Sequence, residues 1–321
     1  MTFGALVVGL GQIGMGYDLD HDPGKYILTH SRAFQQHRQF RLLGGVDPDP
    51  ERRRLFEEHY GSPAYADIGT AVQSLQPDVV SVSVPTHKHL WAVRTILQSG
   101  APVAILCEKP FSSSVEEARE MLELGADQSC RLYANYIRRS DPGVLEVKRR
   151  LKEGRIACPI KGVVWYSKGI FHNGSHFLNL LQYWLGDVRD FRVIEPGRLW
   201  QEIDPEPDLV ISFANGKSYF IAAREEDFSH YTVELIAHNG RLRCEQGDAR
   251  ISWQATAADI ACEGYTVLDA EEEIIPTGFD RIQWHVADQL AESLHGRDAH
   301  ICTGLEALQT LETLAAVKDR L

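Results

Sequence analysis

The first fourteen residues constrain the fold more than any other stretch. Ala5-Leu6-Val7-Val8 is a short apolar run, and Gly9-Leu10-Gly11-Gln12-Ile13-Gly14 follows without a break. The three glycines have separate tasks. The first permits a tight turn, the second lets backbone approach a pyrophosphate, and the third lets the next helix pack closely on the strand. The phosphates then meet a helix N-terminus. A lone G-x-G-x-x-G is weak, but here it sits between a strand and a helix, with further alternating elements downstream. That context predicts dinucleotide binding, with Gly9, Gly11, Gln12, Ile13 and Gly14 as cofactor-binding residues.

Phe40-Arg41-Leu42-Leu43-Gly44-Gly45-Val46 reads as the second strand, ending in Asp47. An acidic residue there accepts hydrogen bonds from the adenosine ribose hydroxyls and repels a 2′-phosphate, so it favours NAD over NADP. Arginines 52, 53 and 54 follow it, and one of them reaching a 2′-phosphate keeps NADP possible. Asp47 lies 33 residues after Gly14 (47 minus 14), where about 20 is usual. The excess falls in the polar stretch Tyr17 to Thr29, read as an insertion in or just after the first helical turn. It carries Tyr17, Asp18, Asp20, His21 and Lys25, groups suited to hydroxyl recognition, and Tyr17 is a candidate substrate-binding residue.

The alternation then continues. Helices are expected over 51–60, 67–75 and 90–98, the last closed by Gly100. The β-branched run 78–84 reads as a strand ending at Pro85-Thr86-His87-Lys88-His89. Ala104-Ile105-Leu106-Cys107 is a buried strand running into Glu108-Lys109-Pro110. A helix follows whose Ser114-x-x-Glu117 fits a capping box, and Arg131 to Asn135 is a further strand. This density of strands and helices means a doubly wound parallel sheet. A lysine at the carboxyl end of a strand in such a sheet sits at a cleft. Proline fixes its own φ and stiffens the residue before it, so Lys109 is a candidate general acid or base.

The texture changes after about residue 140. Strands dominate at 160–167, 190–194, 208–213, 217–223, 231–237 and 241–245, with Asn215-Gly216 and Asn239-Gly240 as hairpin turns. Two helices, near 280–295 and 305–319, close the chain. The expectation is an α/β Rossmann domain over 1–137 and an α+β domain over 138–321 built on a large, mostly antiparallel open sheet. Within the second, residues 174–186 read as a helix. Phe177, Leu180, Leu181 and Trp184 form its apolar stripe, while His176, Asn179 and Tyr183 share a separate polar face.

Composition narrows the class. The chain has 321 residues, 44 % hydrophobic and 24 % charged, with net charge −12. That acidity argues against a nucleic-acid or anionic-membrane surface. No apolar run approaches the roughly 20 residues of a membrane helix. The N-terminus has no basic stretch ahead of its apolar run, so it reads as a first strand and not a signal peptide. Six scattered cysteines without a C-x-x-C read as reduced thiols in a cytoplasmic protein with no metal site.

With the glycine turn, Pro85-Thr86-x-x-His89, Glu108-Lys109-Pro110 and His176-x-x-Asn179 in place, the chain resembles the glucose–fructose oxidoreductase / inositol 2-dehydrogenase / MocA family. Arg138-Arg139-Ser140-Asp141-Pro142 and the strand and turn Glu234 to Gly240 add to the likeness. The resemblance implies a Rossmann domain and an open-sheet domain that commonly forms oligomer contacts, here a dimer or tetramer. It implies hydride transfer between NAD(P) and a carbon of a sugar, nucleotide sugar or cyclitol. By position it makes Lys109 the catalytic and substrate-binding lysine and His176 the histidine near the reacting hydroxyl. Pro85, Thr86, His89, Glu108 and Lys109 line the cofactor. Asn179 departs from the family's usual Asp; an amide takes no proton at neutral pH but can bond a substrate hydroxyl. Two other activities stay open: non-redox sugar chemistry with tightly held NAD, and a catalytically weak NAD-binding sensor or partner protein.

Overall fold

Each apolar run of the first half becomes a strand of one sheet. The computed structural model describes residues 2–223 and 228–321. In it β1 (Phe3–Val8), β2 (Phe40–Val46), β3 (Ala64–Tyr65), β4 (Val79–Val82), β5 (Ala104–Cys107) and β6 (Arg131–Ala134) pair in the order β3-β2-β1-β4-β5-β6. Every pairing is parallel. The order reverses beside β1, and doubly wound sheets bind ligands outside the carboxyl ends at that switch. β1, β4 and β5 are buried along their whole length, as in sheets covered on both faces. β3 was not foreseen: two residues carry no periodicity, and pairing with Gly45 and Val46 defines it.

The helices of this unit are α1 (His30–Gln36), α2 (Pro50–Tyr60), α3 (Ile68–Leu75), α4 (His89–Ser99) and α5 (Val115–Asp127). Asp49, Asp67 and Ser114 cap α2, α3 and α5 with side-chain acceptors. The expected capping box is skewed, since Glu117 accepts from the Ser113 amide and not from Ser114. Gly100 closes α4 as expected, with extended backbone; a Cβ there would lie 2.5 Å from Val72 Cγ1, so close packing is what requires glycine.

The insertion splits the first helix. Met15 N and Gly16 N both bond Gly11 O, and Tyr17 N bonds Gln12 O, which makes one helical turn. The chain then leaves and returns at α1. There His30 N bonds Ile13 O at 3.1 Å and Ser31 N bonds Gly14 O at 3.0 Å. The hydrogen-bond ladder is thus stitched across the excursion.

The chain divides into two compact units. One holds the chain up to Ser140 together with Asp280–Leu311; the other holds Asp141–Phe279 and Glu312–Leu321. The sequence expectation of one continuous stretch from 138 onward differs, because 280–311 packs with the first unit. Val286, Ala287, Leu290, Ala291 and Ile301 join Val7, Leu10, Phe34 and Leu106 in its core.

In the second unit α6 (Pro142–Lys152) is followed by β7 (Ile160–Tyr166), α7 (Ser175–Leu185) and β8 (Val188–Glu195). A small hairpin, β9 (Leu199–Trp200) and β10 (Asp204–Pro205), precedes β11 (Asp208–Phe213), β12 (Gly216–Ala222), β13 (Thr232–Ala237) and β14 (Gly240–Glu245). β15 (Arg250–Ala258), β16 (Thr266–Leu268) and β17 (Glu273–Ile275) lie beyond the strands read from sequence. The sheet has nine strands in the order β16-β15-β14-β13-β7-β12-β11-β8, with β17 on β15. It is antiparallel except where β7 meets β12. The Asn-Gly pairs turn β11 into β12 and β13 into β14 as the sequence predicts. Phe177, Leu180, Leu181 and Trp184 of α7 are all buried in this core. Two helices end the chain, α8 (Ile282–Leu294) and α9 (Gly304–Lys318).

Candidate functional site

The glycine turn forms the floor of a cleft of about 840 Å³ in the first unit, lined by Gly9, Gly11, Asp47, Ser83, Pro85 and Trp91 among others. Gly9 has φ +95, and a Cβ on it would lie 2.7 Å from the Ser83 carbonyl. A Cβ on Gly14 would lie 2.0 Å from Gly9 O. A Cβ on Gly11 would meet only Arg52 Nη1, at 3.8 Å. Two glycines thus serve tight packing and the third keeps the ligand side open. Gln12 is exposed and Ile13 half-buried beside them. Asp47 ends β2 as expected. Its Oδ2 accepts from Leu10 N at 2.9 Å and its Oδ1 from Asp49 N at 2.9 Å, with Arg52 Nη1 3.5 Å away. The loop amide and the carboxylate fix each other where ribose and phosphate chemistry is expected.

Pro85 opens a short helical turn, Thr86–Lys88, at the end of β4, and half-buried Thr86 is its first residue. His89 is 1 % exposed. Its Nδ1 lies 3.1 Å from Phe111 O and its Nε2 3.0 Å from Val84 O. Burial pushes its pKa down, against the pull of these carbonyls. The neutral ring then donates to one carbonyl and bolts the β4 and β5 loops together.

Glu108 and Lys109 leave β5 half-buried. Burial would raise the Glu108 pKa, but hydrogen bonds from His30 and Asn135 and the charge of Lys109 outweigh it and hold the carboxyl below its usual range. His30, Asn135 and nearby Gln283 were not singled out in the sequence. The readable signals were Asn135 closing the β6 run and His30 following a Thr cap.

The insertion corrects one expectation. Asp18 does not face a substrate: it is fully buried, and accepts from Leu28 N at 2.6 Å, Thr29 N at 3.0 Å and Thr29 Oγ1 at 2.8 Å. Arg32 Nε lies 3.5 Å from it. Tyr17 is 53 % exposed.

His176 and Asn179 lie in the second unit, on the first turns of α7, both buried. A wider helical turn, Gly169–Gly174, leads into α7, and such turns are frequent at functional sites. Its start is pinned by two buried acids. Glu206 accepts from Lys168 N at 2.8 Å and Gly169 N at 3.2 Å; Asp204 accepts from Phe171 N at 3.0 Å and His172 N at 2.8 Å. Burial pushes the Asp204 pKa up. The His172 ring stacks on Trp200 at 5.1 Å. Among the described residues no group of three or more His, Cys, Asp or Glu is placed to hold a metal, and no helix is long and apolar enough to cross a membrane.

A 3-2-1-4-5-6 parallel sheet with an open glycine cleft and a terminal β2 aspartate defines a dinucleotide-binding Rossmann protein. Residues 3–136 match the profile of the GFO_IDH_MocA family, described as an oxidoreductase family with an NAD-binding Rossmann fold. An inositol 2-dehydrogenase of Rhizobium meliloti is 24 % identical over 178 residues, 51 % of this chain and 53 % of that protein. A D-apiose dehydrogenase of Paraburkholderia graminis is 25 % identical over 51 % of this chain and 48 % of its own. The chain thus spans about half the length of these curated relatives. The solved WlbA dehydrogenase of Bordetella pertussis, in complex with NADH and UDP-GlcNAcA, superposes with TM-score 0.77 at 16 % identity, over 99 % of this chain and 95 % of that one. At that identity the likeness is one of fold.

Proposed function

We propose that the protein is an NAD-dependent oxidoreductase that moves a hydride between nicotinamide and a hydroxyl-bearing carbon of a sugar, nucleotide sugar or cyclitol. The observation that carries this reading is Lys109 leaving β5 beside a tethered, ionised Glu108, in a sheet whose switch point holds the glycine cleft. Gly9, Gly11 and Gly14 with the Gln12–Ile13 turn cradle the pyrophosphate, and Asp47 takes the ribose hydroxyls. Bound NAD supplies a hydride acceptor. Lys109 and His176 share the removal of the hydroxyl proton that alcohol oxidation requires. Asn179 and Tyr17 bond substrate hydroxyls; the Asn179 amide orients and takes no proton. Relatives named for inositol, apiose and nucleotide-sugar dehydrogenases support the substrate class.

The proposed setting is the cytoplasm and the proposed assembly a homo-oligomer; the assembly is supported by Trp165 and Ile236, which are 41 % and 47 % exposed on neighbouring strands of the large sheet. A second reading, an NAD-binding sensor of low activity, has Asn179 in its favour.

The test is NADH formation with a panel of cyclitols, aldoses and nucleotide sugars. Lys109→Ala should cut turnover on any substrate found by about 10²–10⁴-fold or more while NAD still binds. Full activity in Lys109→Ala would refute the catalytic assignment. NAD binding without turnover on the whole panel would favour the sensor.

A further inference from the structure

Three groups meet the Glu108 carboxylate, and a fourth holds one of them. His30 Nε2 lies 2.8 Å and Asn135 Nδ2 2.6 Å from its Oε1, while Oε2 lies 3.3 Å from the Lys109 amide. Asn135 Nδ2 is also 3.4 Å from Gln283 Oε1. These residues come from the start of α1, the end of β5, the residue after β6, and α8. His30, Asn135 and Gln283 are almost wholly buried, and the Glu108 side chain is 14 % exposed. A buried carboxylate is costly unless donors converge on it, and here they do.

The insertion delivers one of those donors. Asp18 holds the amides of Leu28 and Thr29, and Thr29 Oγ1 accepts from Arg32 N to cap α1. Ile27 N bonds Asp280 O at 2.9 Å, and Ile27 O accepts from Gln283 N at 3.2 Å. His30 therefore enters the interior from a fixed point, beside the helix that brings Gln283. A surface loop ending a strand needs no such framework. The cluster makes sense if the residue after Glu108 must be presented in one orientation.

We propose that His30 and Asn135, with the insertion that carries His30, are positioning residues: they clamp the Glu108 carboxylate so that the Glu-Lys-Pro turn holds Lys109 in a single orientation for proton transfer. This rests on the reading of Lys109 as the reacting lysine. It also gives the insertion a task other than substrate contact.

The test needs no substrate. The intact, NAD-loaded protein is treated with an amine-reactive acylating reagent, and the rates at Lys109 and at exposed Lys25 are followed by peptide mass spectrometry. His30→Ala and Asn135→Ala should each change the Lys109 rate relative to Lys25 by about fivefold, the scale of one lost buried hydrogen bond. His30→Gln, which keeps a donor, should restore about the wild-type ratio. NAD affinity serves as the check on folding; if His30→Ala does not fold, Asn135→Ser takes its place. An unchanged Lys109 ratio in folded variants overturns the clamp and leaves the functional reading standing. A change in His30→Gln equal to that in His30→Ala also overturns it, because loss of packing alone then explains the effect. Inactivity of every variant and of wild type on all substrates bears on the functional reading only.

Discussion

Asp47 and Arg52 both line the cleft, 3.5 Å apart. The aspartate is 4 % exposed and fixed by two backbone amides, so it cannot swing away from a 2′-phosphate. Arg52 is half-exposed at 3.5 Å, and it offsets part of that negative charge. NAD should bind more tightly than NADP, and Arg52→Ala should weaken NADP more than NAD. Titrations of both cofactors against the two proteins decide this, and equal affinities in the wild type contradict it. Glu108 carries a second prediction at this scale. Its native pKa is depressed, so its ionised form stabilises the fold above the unfolded carboxylate value of about 4.5. That contribution is lost as pH falls through the native value. The melting-temperature gap between wild type and Glu108→Gln should be widest near neutral pH and close on acidification; a gap independent of pH contradicts it.

At the scale of elements, the insertion is where sequence and structure part most clearly. Its place and extent were legible, because the aspartate that ends β2 arrives too late in the chain. The direction of its side chains was not. A loop has no period from which to infer which groups face inward, so Asp18 read like its polar neighbours. In the fold it is wholly buried against Arg32, whose Nη1 and Nη2 donate to the His21, Tyr26 and Leu19 carbonyls. Removing one partner strands the other charge. Asp18→Ala should therefore cost about 3–5 kcal/mol, measured by denaturant unfolding, and a loss under about 1 kcal/mol would mean that the pair holds nothing. The helix α7 shows the same limit from the other side. Its apolar stripe is a strong 3.6-residue pattern and packs as read. Its polar residues gave no sign that they too would be buried, nor that Asp204 and Glu206, some thirty positions on, pin the turn ahead of them.

At the scale of the whole molecule, the alternation of strands and helices made the doubly wound parallel sheet readable as far as β6, apart from the two-residue β3. A domain boundary placed where that alternation stops misses what returns later. α8 has an ordinary amphipathic pattern, and such a pattern does not say which core it serves. Val286, Leu290 and Ala291 lie in the first unit's core, and α8 also brings Gln283 beside Asn135. A fragment of residues 2–137 thus lacks a wall of its own interior. It should expose those apolar surfaces, and show no cooperative melt and little NAD affinity. The chain crosses between units three times, and the ends of the segment between the first two crossings lie side by side: the Gly278 amide donates to Asp141 Oδ2 at 2.8 Å. A short Gly-Ser linker from residue 140 to residue 280, ending the chain at 311, therefore spans a small gap while deleting the second unit. That joined fragment should melt cooperatively and bind NAD about as well as the full chain, because every residue assigned to the glycine cleft is present. Differential scanning calorimetry and cofactor titration of the two fragments give the comparison. A cooperative, NAD-stabilised melt of 2–137 alone would mean that the returning helix is dispensable, and that the first unit ends where the alternation does.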